Sequence, residues 1–335
     1  MKRILVTGGA GFIGSAFVRW QLRRYPTTHV VALDKLTYSG NRDNLKDADP
    51  QRYTFIRGDV ADPETVARAL DGCDGVAHFA AESHVDRSLV GAADFIATNV
   101  SGVNTLLEQA VALGTKRVLL VSTDEVYGSI ETGAFSEDAP LKPRNPYAAS
   151  KAAGELFGAA FHASHNAPVL ITRGSNTYGP FQYPEKMLPL FITNALDGLP
   201  MPLYGDGGNV RDWLFVDDHC SAIDLVLRKG TPGETYNIAG RNEKQNIEVA
   251  RTLLQLLQAP ESLIRHVRDR IGHDRRYAIN DEKLRALGWR PKTRWEEGMA
   301  ETVRWYQENE WWWRKIKSGA FKEYYARQYD HLLDG

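Results

Sequence analysis

Cysteine is scarce: Cys73 and Cys220 are the only two in 335 residues, far apart and without His or Cys neighbours at metal-ligand spacing. That excludes a disulfide framework and offers no zinc motif, so no metal is expected. Charge of one sign is lacking too. The formal net charge is −1 and no basic run stands out, which removes the electrostatic reason to expect a nucleic-acid partner. No apolar run reaches the roughly eighteen residues of a membrane span, and the apolar stretch after Met1-Lys-Arg is too short for a signal peptide. Internal repeats and low-complexity tracts are absent. These absences leave a chain expected in the cytoplasm, long enough for one large or two modest domains.

What is present is a rhythm. Periodicity predicts strands over residues 3–7, 29–34, 53–59, 75–80, 117–121 and 169–173, alternating with helices over 12–24, 63–70, 94–113 and one that starts at Pro146. Repeated βαβ units predict a Rossmann-like α/β fold with a doubly wound parallel sheet, because parallel neighbours need a crossover and the crossover is right-handed. After Ser175 the rhythm breaks, and proline, glycine and aromatic residues crowd 178–189 and 200–208 around a helix near 188–196. Strand-like stretches 210–216 and 234–238 flank a helix over 218–227 and are candidates to rejoin the sheet. A helix over 247–257, a basic segment 265–276 and a long amphipathic helix over 295–317 complete the chain. The expected division is one domain of residues 1–175 and 207–239, interleaved with a smaller C-terminal substrate-binding domain of 176–206 and 240–335. Trp305, Trp312 and Ile316 can share one helix stripe, so the tryptophans at 311–313 read as packing rather than a sugar platform.

Directly after the first strand comes Thr7-Gly8-Gly9-Ala10-Gly11-Phe12-Ile13-Gly14. Gly8, Gly11 and Gly14 permit a tight turn and let backbone amides, with Phe12 and Ile13 beside them, approach a pyrophosphate at a helix amino terminus. The turn sits between a predicted strand and a predicted helix, the context a dinucleotide site requires. Asp34 ends the second strand, about twenty residues on, where a carboxylate bonds a ribose diol and repels a 2′-phosphate. That points to NAD over NADP, with the neighbouring Lys35 acting slightly against it. Asp59 and Val60 at the third strand end are placed to hold the adenine. Ala81 and Ser83 come after the fourth strand, where His84 is left unassigned.

The other conspicuous stretch runs from Val121 to Lys151. Thr123, Asp124 and Glu125 fall at the carboxyl end of a predicted buried strand, where open α/β sheets bind ligands. Asn145 can N-cap a helix with Pro146 at its first position, and that helix carries Tyr147 and Lys151 at i, i+4 on one face. Using a phenol as a base at neutral pH needs a shift of about three units, roughly 4 kcal/mol. A positive charge about 5 Å away at an effective dielectric of about 20 supplies roughly 3 kcal/mol, and a nicotinamide cation the rest.

Together these residues resemble the extended short-chain dehydrogenase/reductase superfamily, and within it the nucleoside-diphosphate-glucose 4,6-dehydratases, specifically those acting on dTDP-glucose. The resemblance is carried by Leu36-Thr-Tyr-Ser-Gly-Asn, Ala81-Glu-Ser-His-Val-Asp-Arg-Ser, Ser122-Thr-Asp-Glu-Val-Tyr-Gly, Asn176-Thr-Tyr-Gly-Pro-Phe-Gln-Tyr-Pro-Glu-Lys, Leu203-Tyr-Gly-Asp-Gly, Arg211-Asp-Trp and Asp269-Arg-Ile-Gly-His-Asp-Arg-Arg-Tyr. It implies NAD as cofactor, with Asn99 and Thr177 added to its site, dTDP-glucose as substrate, and a homodimer built by helices from each subunit. It makes Thr123 a hydrogen-bond partner of the sugar, Asp124 the acid, Glu125 the base, and Tyr147 with Lys151 the base for the 4-hydroxyl. Ser83, Asn176, Lys186, Pro202, Tyr204, Arg211, Asn246, Arg270 and His273 would line the sugar-nucleotide site, Arg211 and Arg270 as forked clamps on the diphosphate. Two positions depart from the family pattern. Thr177 stands where a second asparagine is usual, and Ile271 replaces a proline whose fixed backbone angle is thereby lost.

The chemistry can be argued without the family. Removing water across C5 and C6 of a hexose is hard because the C5 proton is not acidic, and oxidising C4 to a ketone makes it so. Such an enzyme needs an oxidant, a base for C5 and an acid for the departing 6-hydroxyl, roles that NAD, Glu125 and Asp124 fit. Adjacent buried carboxylates repel each other's ionised forms, so one is held protonated. The alternatives are a sugar-nucleotide 4-epimerase, which has no use for the acid pair, and a non-catalytic NAD-binding regulator, which has no use for Tyr147 and Lys151.

Overall fold

The computed structural model describes residues 1–269 and 272–330. Its first half keeps to the predicted alternation: β1 (Arg3–Thr7), α1 (Phe12–Arg24), β2 (His29–Asp34), β3 (Tyr53–Arg57), α2 (Pro63–Leu70), β4 (Gly75–His78), α3 (Val85–Val90), α4 (Ala93–Ile96), α5 (Gly102–Ala112), β5 (Val118–Thr123), α6 (Pro146–His165) and β6 (Val169–Gly174). The second half comprises β7 (Asn176–Tyr178), α7 (Met187–Leu196), β8 (Met201–Tyr204), β9 (Val210–Phe215), α8 (Val216–Lys229), β10 (Thr235–Ile238), β11 (Glu243–Gln245), α9 (Asn246–Leu257), β12 (Ile264–Val267), α10 (Glu282–Ala286), α11 (Trp295–Glu308), α12 (Glu310–Lys317) and α13 (Ala320–Tyr325).

Seven strands form the central sheet in the order β10-β6-β5-β4-β1-β2-β3, all parallel. A parallel sheet must bury both faces, and the strands divide their side chains accordingly. Ile4, Val6, Val30 and Ala32 pack with Phe17 of α1 and Ile223 and Val226 of α8. Leu5, Val31 and Leu33 pack on the other face with Val66 of α2 and Leu106 of α5. Chain order reverses between β1 and β4, and Thr7 pairs with both Leu33 and His78. The carboxyl ends of β1, β2 and β4 are therefore level at the switch point, where such sheets open a crevice.

Of the two stretches expected as candidates to rejoin this sheet, only β10 does so. β9 pairs instead with β7 and, antiparallel, with β11. The reason lies in its side chains: Trp213 and Phe215 belong to a second, aromatic-rich core with Tyr178, Trp295, Tyr306 and Trp312. The helix expected over 94–113 is interrupted by a π turn at Ala97–Ser101, and the one over 295–317 breaks at Asn309. Trp312 and Trp313 are buried while Trp311 is exposed, as packing required. Trp312 donates its indole N–H to Asn44 Oδ1 at 2.9 Å, and Asn44 Nδ2 donates to the carbonyl of Ala10 at 2.9 Å. The last part of the chain thereby braces the glycine turn at its start. Among the described residues no helix is long and apolar enough to cross a membrane, and no group of three metal-ligating side chains occurs.

Candidate active site

The glycine turn lines a crevice with Phe12 and Ile13, and the turn is glycine for steric reasons. A Cβ on Gly14 would lie 2.1 Å from the Gly8 carbonyl oxygen, and one on Gly8, at φ +65°, would lie 2.7 Å from the Ala80 nitrogen. α1 begins with no side-chain cap and no acid in its first turn, which leaves its amino-terminal amides and dipole for an anion. Asp34 accepts from the amides of Ala10 at 2.9 Å and Leu36 at 2.8 Å, fixing its carboxylate at the mouth of an adjoining cavity lined by Lys35, Asp59, Val60 and Ala81. Lys35 does not offset Asp34 as expected: its ammonium is held 2.6 Å from Asp59. A carboxylate so placed suits a dinucleotide with a free ribose diol and would repel a 2′-phosphate.

β5 ends at Thr123, whose hydroxyl accepts from the Glu125 amide at 3.3 Å and starts a tight turn at Asp124–Tyr127. Opposite it, Asn145 caps α6 by accepting from Ala148 N–H at 2.8 Å, while its Nδ2 donates to Glu125 Oε2 at 3.4 Å. One side chain thus starts the helix and steadies the expected base. Tyr147 and Lys151 line the same crevice as Ser83, Thr123, Asp124, Glu125, Asn176 and Thr177.

Electrostatics separates these groups. Asp124 is 3% exposed, and burial, then Glu125, then Asp212 push its pKa well above the usual carboxylate range. Burial therefore favours its neutral, protonated form, and its Oδ2 is buried without a hydrogen-bond partner among the described residues. For Tyr147 the structure reverses the expected net shift: burial and the Glu125 charge push the phenol up, and only a hydrogen bond with Thr123 opposes them. Burial lowers Lys151 to about 8, so it is still mainly a cation at neutral pH, and its Nζ donates to the Val121 carbonyl at 2.7 Å. In the protein alone the lysine does not bring the phenol into range.

Beyond the strand end a second cavity opens, sharing Glu125, Asn176, Glu185 and Lys186 with the crevice and lined further by Pro202, Tyr204, Arg211, Asn246 and His273. Lys186 donates to the Ser83 carbonyl at 2.6 Å. Arg211 is braced by the carbonyls of Val210 and Asp274 and lies 4.3 Å from the Tyr277 ring. Asn176 and Asn246 each bury a side-chain oxygen that has no partner among the described residues. Arg270 and Ile271 lie outside the described residues. Asn99, expected at the cofactor, bonds the backbone of Glu82 and the Ser150 hydroxyl, and its neighbour Thr98 lines the cavity. Glu185, His219 and Tyr329 also line these cavities, and sequence reasoning missed all three. Glu185 was visible inside the motif ending at Lys186, whereas nothing in the sequence around Tyr329 signalled it. His219 receives or donates a 2.7 Å hydrogen bond with Thr177, and burial, which lowers it to about 3, keeps it neutral.

A glycine turn, an aspartate at the end of the second strand and a Tyr/Lys helix on a switch-point crevice define a dinucleotide-dependent enzyme of the extended short-chain dehydrogenase/reductase type. The chain belongs to the family described as GDP-mannose 4,6 dehydratase, whose model matches residues 5–302. It is 51% identical to a dTDP-glucose 4,6-dehydratase of Streptomyces niveus, over 94% of this chain and 96% of that one. The crystal structure of the dTDP-glucose 4,6-dehydratase from Streptomyces venezuelae, with NAD bound, is 54% identical, with a TM-score of 0.92 covering 94% of this chain and all of that one. A UDP-glucose 4-epimerase of Thermus thermophilus in complex with NAD stands further off, at 33% identity and a TM-score of 0.85 over 92% of this chain and 99% of its own.

Proposed function

We infer that the chain is a hydro-lyase that converts dTDP-glucose to dTDP-4-keto-6-deoxyglucose with NAD as its cofactor. The observation that carries this is the acid pair at the end of β5, with Asp124 buried beside Glu125 and its pKa pushed well above the usual carboxylate range. An epimerase needs neither, and a regulator needs no base.

The glycine turn, Asp34, Asp59 and Lys151 would hold NAD, which would supply the hydride acceptor for C4, the hydride donor for C6 and a positive charge near Tyr147 to add to that of Lys151. Tyr147 removes the proton of the 4-hydroxyl, with Thr123 hydrogen-bonding the same oxygen. Glu125 takes the C5 proton once C4 is a ketone, and Asp124 gives its proton to the departing 6-hydroxyl, which leaves as water. Glu125 then returns its proton to C5. The balance closes because the proton Tyr147 removed replaces the one Asp124 gave up. Arg211, Asn246, Tyr204 and His273 hold the nucleotide diphosphate, while Asn176, Lys186 and Ser83 orient the hexose between the two cavities.

Incubation with dTDP-glucose and mass spectrometry tests the reading: loss of water supports it, an isobaric product means epimerisation, and no change means a regulator. Substrate deuterated at C4 should give deuterium in the product's methyl group, and heavy water should label C5. Deuterium returned to C4 with the 6-hydroxyl intact would refute the dehydratase reading.

The division at residues 1–175 and 207–239 against 176–206 and 240–335 is proposed as a functional one, cofactor side against nucleotide side. A homodimer is proposed as well. Leu89 and Val90 on α3, Ile96 on α4, and Leu156 and Phe157 on α6 are exposed apolar side chains on helices that pack together, and a second copy of the chain would cover them. Leu156→Lys should halve the mass seen by sedimentation. We place the enzyme in the cytoplasm, where NAD and sugar nucleotides are made; cell fractionation checks it.

A further inference from the structure

The dehydratase chemistry leaves Arg87 of α3 unused, yet this side chain is held from three separated stretches of chain. Its Nε donates to Glu185 Oε2 at 3.0 Å, and the Glu185 side chain is 1% exposed. Its guanidinium lies 4.0 Å from the Tyr38 ring centroid and 4.1 Å from that of Tyr324, so it is sandwiched between two aromatic faces, an arrangement that favours a desolvated cation. Tyr38 also meets Tyr183 edge-on at 5.5 Å.

Each partner belongs to a different part of the site. Tyr38 is the tip of the loop after β2, whose next residue, Ser39, lines both the crevice and the adjoining cavity. The base of that loop is tied down by the Leu36 amide on Asp34 and the Asn41 amide on the Ala10 carbonyl. Tyr183 and Glu185 form the facing wall of the crevice. Tyr324, on α13, lines neither cavity, but it shortly precedes Tyr329, which lines the second one. Arg87 therefore joins the loop on one side of the crevice to the wall on the other, with the C-terminal segment closing the stack.

We propose that Arg87 is a positioning residue that locks the cofactor in place, pinning the Tyr38 loop against the Glu185 wall so that NAD leaves only when the stack opens. The lock suits a reaction in which the cofactor is reduced and reoxidised within one turnover and has no need to exchange. Because Glu185, which holds Arg87, lines both cavities, a sugar nucleotide bound in the second tightens the hold on NAD, and by linkage NAD tightens the hold on the sugar nucleotide.

The proposal rests on the crevice being an NAD site, and the test separates the two. Unmutated protein, Arg87→Met and Tyr324→Leu are purified without added NAD and desalted, and bound NAD is measured after extraction; its dissociation rate is then monitored after reloading. Unmutated protein should retain its NAD. Arg87→Met should lose most of it, with dissociation at least about tenfold faster, the factor that corresponds to 1.4 kcal/mol. Tyr324→Leu, at a residue that lines neither cavity, should lie between. Added NAD should restore cofactor content and turnover in both variants. Retention by Arg87→Met equal to that of unmutated protein would overturn the lock, as would a loss that added NAD does not reverse. Tyr324→Leu indistinguishable from unmutated protein would overturn the part played by the C-terminal segment, and this variant carries the test if Arg87→Met does not fold. Unmutated protein that neither retains nor takes up NAD fails the cofactor reading itself and leaves nothing for a lock to hold.

Discussion

The two cavities that meet at Glu125 and Asn176 are built on different principles. The cofactor crevice is made of backbone: its glycine turn is packed to contact, and both oxygens of Asp34 already accept amide hydrogens. The nucleotide side is made of side chains from distant loops, and it buries the amide oxygens of Asn176 and Asn246 with no partner among the described residues. An unpaired buried polar atom costs roughly 1–3 kcal/mol, so that side is held ready for donors that a substrate brings. The difference teaches that rigidity and recognition have been divided between the cavities. Damage to the first should remove the cofactor outright, and damage to the second should spare the cofactor and stop the chemistry.

The largest effect should come from Gly14→Ala, whose Cβ has no room beside the Gly8 carbonyl. Because the obstacle is backbone, the turn must open, and the protein should purify without NAD and without measurable turnover; full NAD content by extraction would break the comparison at once. Glu125→Gln should keep its NAD yet lower product formation by about 10²–10⁴-fold, the usual worth of a general base. Absorbance of NADH should rise on mixing with substrate and persist, because C4 oxidation precedes the step that Glu125 serves. If no NADH appears, the two halves of the reaction are not separable.

Asp34→Ala sits between these extremes. Loss of charge-assisted hydrogen bonds worth about 1.5–3 kcal/mol should weaken NAD by roughly 10–100-fold and weaken NADP less. Equal losses for the two cofactors, measured by titration, would make Asp34 a brace for the turn and nothing more.

The smallest effect sharpens the contrast through stability. Lys151 has a folded pKa of about 8 against 10.5 unfolded, so below pH 8 it is charged in both states and its burial penalty is fully present. As pH rises from 8 towards 10.5 the unfolded chain holds more protons than the folded one, and the penalty is relieved. Lys151→Met should therefore raise the melting temperature of NAD-free protein by a few degrees at pH 7, with the gain shrinking as pH rises through 8, while turnover falls. A gain that grows with pH would mean that the lysine is not buried as a cation.

Much of this was legible in the sequence because it is encoded locally. The glycine turn, Asp34 at a strand end, Asn145 before Pro146, and Tyr147 with Lys151 each need only a short window and one periodicity. The helix expected over 94–113 shows where periodicity fails. A π turn carries more residues than an α turn, so the interruption at Ala97–Ser101 shifts the helical phase, and Thr98 lines the cavity while Asn99 turns inward to Glu82. β9 was legible as a strand but not as a member of the smaller sheet, because the aromatic partners that place it come from α11 and α12. Burial is equally invisible in a sequence, and it decided the sign of the Tyr147 shift. The expected pairing with Lys151 counted charges and omitted the cost of desolvation.

The bond from Trp312 to Asn44 carries a consequence for the order in which the molecule is made. The two residues are 268 apart in the chain, so a ribosome adding about 5–20 residues per second forms the brace tens of seconds after it has made the glycine turn. During that interval the turn lacks the indole that fixes Asn44 beneath Ala10. An unfinished or prematurely released chain lacks this brace, and it should grip dinucleotide more weakly than the finished one.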